Sequence, residues 1–219
     1  MILVMGSIGV LAAILLVVTY FTTLPAIERN KAEALERAIF EVLPGASQKA
    51  VFAPTAQGLR SIAAGEEAPE RYYAGYDADG RLVGVAIEAA GQGFADILRV
   101  LYGYSPECAC IVGFKVLESK ETPGLGDKIE TDPAFTANFE ALDVRLDDLE
   151  SAIAHPISFA KPGQKTEGWQ IEGITGATIS SKAVTQILSA STAQTVVTVE
   201  RNLKVLEDGS PGSDNPESD

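Results

Sequence analysis

The residues from Ile2 to Leu24 carry no charge and are mostly apolar, and that run limits what the chain can become. As a helix at about 1.5 Å per residue it reaches roughly 35 Å, enough to cross a bilayer. Tyr20 and Phe21 sit near its end, where aromatic side chains favour the membrane interface, and Pro25 marks a stop. Gly9 and Ala13 form a small-xxx-small pair suited to packing against another helix. The rival reading is a cleaved signal peptide. A missing basic n-region, the length of the run and the lack of an A-x-A site favour a retained anchor. The domain boundaries expected are an anchor over 1–26, a globular domain over 27–206 and an acidic, disordered tail over 207–219. Beyond the anchor, Arg29, Lys31 and Arg37 are interspersed with Glu28, Glu33, Glu36 and Glu41. Counting basic residues alone leans slightly toward a cytoplasmic domain.

The chain has 219 residues and a net charge of −13, all of it beyond residue 27. A domain this acidic excludes nucleic acid and anionic lipid surfaces as natural partners. The two cysteines, Cys108 and Cys110, fall in a strand pattern that would put both on one face. With the only histidine, His155, far away, they complete no metal site and are expected to be structural and half-buried.

Residues 27–43 predict an amphipathic helix with Ala32, Leu35, Ile39 and Val42 on one face, ended by Leu43-Pro44-Gly45. A short strand over 49–53 precedes a small, polar stretch with loop over 55–70. Tyr72–Tyr76 and Arg81–Glu88 read as a hairpin about Asp77-Ala78-Asp79-Gly80. After a loop at Gly91–Phe94, Ile97–Tyr102 and Ala109–Glu118 form a second strand pair. A loop over 121–133 leads to a short helix through Phe135, Phe139 and Leu142, and residues 151–168 read as irregular. A strand near Trp169–Glu172 then turns into a helical pattern from about Ser181 to Leu206, in which the β-branched Val196–Val199 disfavours helix. Antiparallel strands with flanking helices make an α+β domain behind a single membrane helix.

The turn Gly173-Ile174-Thr175-Gly176-Ala177-Thr178-Ile179-Ser180 joins that strand to that helix. Its glycines permit close backbone approach, and a helix start offers free N–H groups and the positive dipole end to an anion. On these grounds alone an ordinary capped turn is the favoured reading. Read from Glu172, however, it resembles the flavinylation motif of the FMN-binding domain family, in which an acidic residue precedes a Ser/Thr-Gly-Ala-Thr core. Glu121-Thr122-Pro123-Gly124-Leu125-Gly126 resembles the family's second hallmark loop. Glu172 stands where Asp is usual, and Thr175 where Ser is. The likeness covers nearly the whole chain except the tail. It is nearest to the G subunits of Rnf ion-translocating ferredoxin:NAD oxidoreductase complexes, because no large insertion separates anchor and domain. The C subunits of sodium-pumping NADH:quinone oxidoreductases share both motifs and remain an alternative, as does a flavin-free anchored module.

The resemblance implies FMN attached through its phosphate to Thr178 by a separate flavin transferase. Thr175, Gly176, Ala177 and Ser180 are expected around the phosphate, and Glu121, Thr122, Leu125 and Gly126 at the isoalloxazine. Lys128 and Lys182 are further candidates near the phosphate or reduced flavin. No catalytic pair, triad or metal set is visible, so the resemblance implies an electron carrier without independent turnover, one component of a redox-driven translocase. Its partners would be other subunits of a membrane redox complex and the transferase. It also implies an inner-membrane protein with the domain on the extracytoplasmic side, against the lean from the basic residues.

Overall fold

The computed structural model describes residues 2–210 apart from 57, 64, 65 and 67. By compactness the chain divides after Arg37. A single helix α1 runs Ile2–Val42 and contains Pro25, which does not stop it as expected. Proline removes one N–H and crowds the carbonyl four residues back, a cost that a long apolar helix tolerates. In the first unit Val4, Met5, Ile8, Leu11, Leu15 and Phe21 are all more than half exposed. Among the described residues this is the one helix long and apolar enough to cross a membrane, with a mean hydropathy of 2.3 over its most apolar window.

The second unit is built on a seven-stranded antiparallel sheet, ordered β2-β1-β3-β4-β5-β6-β7. Its strands are β1 Gln48–Thr55, β2 Gly58–Ile62, β3 Tyr72–Tyr76, β4 Leu82–Gln92, β5 Ile97–Ser105, β6 Cys110–Glu118 and β7 Leu142–Asp143. The β3–β4 turn is closed as expected: Asp77 Oδ1 accepts from the N–H groups of Asp79 and Arg81, and Gly80 takes φ +79°. Strand β2 lies within the stretch read as polar and partly loop; it pairs with β1 and buries Leu59 and Ile62. The expected loop over 121–133 contains a short helix α2, Lys128–Thr131, and the following helix splits into α3, Pro133–Thr136, and a 3₁₀ turn, Ala137–Phe139. Two segments, β8 Ser158–Ala160 and β9 Gln170–Glu172, pair in parallel, so 151–168 is not wholly irregular.

Helix α4, Thr178–Arg201, lies along one face of the sheet, and α5, Leu203–Asp208, follows a break at Asn202. Val184, Ile187, Leu188, Val196 and Val199 of α4 enter the core. Burial of Val196, Val197 and Val199 holds the β-branched stretch helical despite its low propensity. Tyr102 Oη hydrogen-bonds the hydroxyls of Ser191 and Thr195 at 2.8 and 2.7 Å, fixing helix to sheet. Two residues of the expected tail, 207 and 208, complete α5; beyond 210 the expectation lies outside the described residues.

On the sheet, Val42 and Leu43 lie against a row of glycines. A Cβ at Gly103 or Gly113 would strike the Val42 backbone, one at Gly75 the Leu43 side chain, and one at Gly84 the Tyr104 carbonyl oxygen, with Leu43 crowding it. The missing side chains make a bed in which the chain entering the domain is buried; Ala38, Ile39, Val42 and Leu43 are at most 3% exposed.

The cysteines differ from expectation. Cys108 lies in the β5–β6 turn, exposed, and Cys110 begins β6, buried. A turn with a positive φ at Ala109 (+49°) swings the two sulfurs together, and they form a disulfide.

Candidate functional site

Helix α4 begins three residues earlier than its periodicity shows, at Thr178. The apolar rhythm starts only at Val184 because the first turn is built from turn-forming residues. Gly176 takes φ +87°, which only glycine adopts without strain, and delivers the chain into the helix. The first intrahelical bond runs from Ser181 N–H to Ala177 O at 2.9 Å. The N–H groups of Thr178, Ile179 and Ser180 therefore lie at the open end of a 24-residue helix. Thr178 is exposed, and its hydroxyl has no hydrogen-bond partner among the described residues.

Ser180 faces the other way. It is buried, and its hydroxyl donates to Glu121 Oε2 at 2.6 Å. Glu121 is itself 7% exposed, and its Oε1 accepts from the backbone N–H groups of Phe94 and Ala95 at 2.7 and 3.2 Å. One carboxylate thus ties the β4–β5 loop, the Glu121–Gly126 loop and the start of α4. It accounts for two glycines, since a Cβ at Gly126 would lie 2.5 Å from Glu121 Oε2 and 2.8 Å from Ser180 Oγ, and one at Gly93 2.5 Å from Glu121 Oε1. The Glu121–Gly126 loop closes on itself, with Thr122 O accepting from Leu125 and Gly126 N–H. Beside it, Lys120 pairs with Asp96, holding that carboxyl below the usual range.

Between these elements lies a cleft of about 280 Å³, lined by Phe94, Glu121, Thr122, Leu125, Gly126, Gly176, Ala177, Thr178, Ile179 and Ser180. Two segments more than fifty residues apart in sequence therefore meet in one concavity. Thr175 does not join them. It lines a separate cleft with Lys128 and Glu172, whose carboxylate accepts from Gly163 N–H. Lys182 also points elsewhere, its Nζ 5.3 Å from the centre of the Phe159 ring. Sequence reasoning passed over two lining residues. Phe94 and Ile179, 60% and 57% exposed, join Leu125, 52% exposed, as an apolar rim. Phe94 follows the glycine packed on Glu121, and Ile179 sits inside the motif; only their exposure marks them as rim residues. A larger cleft of about 480 Å³ beside Tyr72 and Arg99 holds none of the motif residues.

Residues 93–192 match the model of the FMN-binding domain family. Over 193 residues the chain is 33% identical to the G subunit of the ion-translocating oxidoreductase complex of Methanosarcina acetivorans, covering 85% of this chain and 88% of the relative. The chain belongs to this G-subunit family. Another of its relatives is the G subunit of the Na(+)-translocating ferredoxin:NAD(+) oxidoreductase complex of Acetobacterium woodii, 32% identical over 195 residues, 86% of this chain and 87% of that one. The fold is that of the crystal structure of Shewanella oneidensis NqrC, with a TM-score of 0.64 and 17% identity over 83% of this chain and all of the other. Membership of the G-subunit family decides between the two kinds of complex that the motifs alone leave open, and makes the apolar helix a membrane anchor.

The cleft's chemistry suits the family's cofactor. The free hydroxyl at the helix end, the open N–H groups beside it and the unobstructed backbone at Gly176 suit a phosphate ester. The apolar rim suits one face of a flat ring. The volume is at the small end for a ligand site, so a flavin held there keeps an edge open to its surroundings.

Proposed function

We propose that this chain is the membrane-anchored, FMN-carrying electron-transfer subunit of an ion-translocating ferredoxin:NAD oxidoreductase complex of the Rnf type. The observation that carries the reading is the convergence of Thr178 and the Glu121–Gly126 loop on one cleft, with the threonine hydroxyl free. FMN, when bound, takes up and releases electrons. Everything else in the site is positioning. A flavin transferase joins the FMN phosphoryl group of FAD to Thr178 Oγ, releasing AMP, and the hydroxyl proton leaves to solvent. The remaining phosphodiester charge sits at the N-terminus of α4, where the N–H groups of Ile179 and Ser180 and the helix dipole favour it. Phe94, Leu125 and Ile179 hold the ring, and Thr122 serves its polar edge. Glu121, largely buried, shapes the cleft by holding its loops together. Ser180 faces the phosphate with its N–H alone, since its hydroxyl already serves Glu121.

The subunit passes electrons between partner cofactors and turns over no substrate by itself. A covalent tether suits a domain on the extracytoplasmic side.

Coexpression with a flavin transferase is expected to give a band that stays fluorescent on a denaturing gel, with the added mass of FMN less water. Thr178→Ala should lose both signals; retention of either would refute Thr178 as the attachment site. Protease added to intact spheroplasts should digest the domain, and protection would reverse the orientation.

A further inference from the structure

We propose that Cys108 and Cys110 form a reversible thiol–disulfide exchange site, a second redox-active group of this chain and independent of the flavin. Four observations carry it. The bond spans only one intervening residue and closes within the β5–β6 turn, whose strands are already paired from Arg99–Glu118 to Ser105–Cys110. It joins no separate segments, and so short a ring constrains the unfolded chain far less than a bridge between distant parts. It also holds Ala109 at φ +49°, a left-handed conformation unfavourable to a residue with a Cβ. Backbone strain of that kind concentrates at functional and switching positions. Finally, the two sulfurs are unequal: Cys108 is exposed in the turn, whereas Cys110 is 6% exposed at the start of β6.

That inequality sets the direction of the chemistry. A thiolate of an external dithiol attacks Cys108 Sγ, the Cys108–Cys110 bond breaks, and Cys110 leaves as thiolate and takes a proton. The dithiol's second thiolate then attacks its own sulfur in the mixed disulfide. Cys108 is released and protonated, and the dithiol departs as a disulfide. Two electrons and two protons have moved to this chain. Reduction frees Ala109 to leave the left-handed region, and Ala109 O is the acceptor of Val144 N–H beside β7, so the change reaches the sheet edge. The cleft and the disulfide sit at opposite ends of β5, roughly 27 Å apart along the strand at about 3.4 Å per residue, which keeps the two groups separate.

The test uses full-length protein in detergent, purified in air. Without reductant, maleimide alkylation should add nothing. After incubation with dithiothreitol and no denaturant, it should modify Cys108 within minutes, and the buried Cys110 more slowly, while the circular dichroism is unchanged. Alkylation only after denaturant is added, or two free thiols before any reductant, overturns the proposal. Single variants test the direction. Cys110→Ser should form a mixed disulfide with oxidised glutathione at least about tenfold faster than Cys108→Ser, because only the exposed thiol is reachable. Equal rates, or the reverse order, overturn the assignment of Cys108 as the attacked sulfur.

Discussion

At residue scale, the site depends on a division of labour among hydroxyl groups that are nearly adjacent in sequence. Thr178 and Ser180 both stand in the first turn of α4, yet two positions of helical rotation point one outward and the other into the core. The outward one is left without a partner and the inward one is bound to Glu121. Glu121 is then the residue on which the cleft's shape rests. Glu121→Ala would leave the buried Ser180 hydroxyl unpaired, at a cost of about 1–3 kcal/mol, and release the part-buried N–H groups of Phe94 and Ala95, which water can partly satisfy. The expected result is a loss of stability of a few kcal/mol, read from the denaturant midpoint, together with weaker covalent flavin loading. Glu121→Gln keeps the shape and one acceptor oxygen, and is expected to fall between Glu121→Ala and the parent. A Glu121→Ala protein as stable as the parent would show that this carboxylate does not hold the three segments together.

At the scale of elements, the glycine bed beneath Val42 and Leu43 explains a feature that reads poorly in sequence. Gly75, Gly84, Gly103 and Gly113 sit inside strands, where glycine weakens pairing. Here they let the end of α1 lie directly on the sheet. Gly103→Ala is expected to destabilise the domain by about 1–3 kcal/mol through overpacking against Val42, read as a fall of the thermal midpoint. An unchanged midpoint in Gly103→Ala would mean that the bed has slack. The antiparallel strands, the Asp77–Gly80 turn and the strand-to-helix motif were legible because alternation, turn residues and helix starts are local signals. The α4 start, the helix through Pro25, the short β8–β9 pair and the disulfide were not. Each depends on tertiary burial or on a turn that brings two side chains together, which no local period records. At the site, the two motifs pointed to residues that do meet, while the apolar rim of Phe94 and Ile179 and the separate placement of Thr175 needed the folded chain.

For the whole molecule, five buried tyrosines make the sheet's contact with its helices sensitive to alkali. Tyr76 is fully buried, with its hydroxyl donating to Leu206 O, and burial pushes it up to about 12. Tyr73 is pushed up to about 12 by burial and by neighbouring Glu88. Tyr72 is raised by burial, and Tyr102 and Tyr104 are raised further by burial, Tyr104 also by its hydrogen bond to Glu200. In the unfolded chain each would ionise near pH 10. A raised folded value means that the native state holds these protons longer. The associated stability is complete below about pH 10 and is lost as pH climbs toward 12 and beyond. At about 1.4 kcal/mol per unit, a tyrosine held two units high contributes about 2–3 kcal/mol that disappears across that window. Chemical denaturation of the domain at pH 8, 9 and 11.5 should therefore give similar midpoints at the first two and a steep fall at the third. Tyr76→Phe should be less stable than the parent at pH 8, having lost the bond to Leu206 O, yet show a shallower fall above pH 10 because one of the coupled protons is gone. A midpoint that stays level to pH 11.5 would mean that these hydroxyls ionise in the folded protein much as they do in the unfolded one, and that the sheet is not held protonated by its burial.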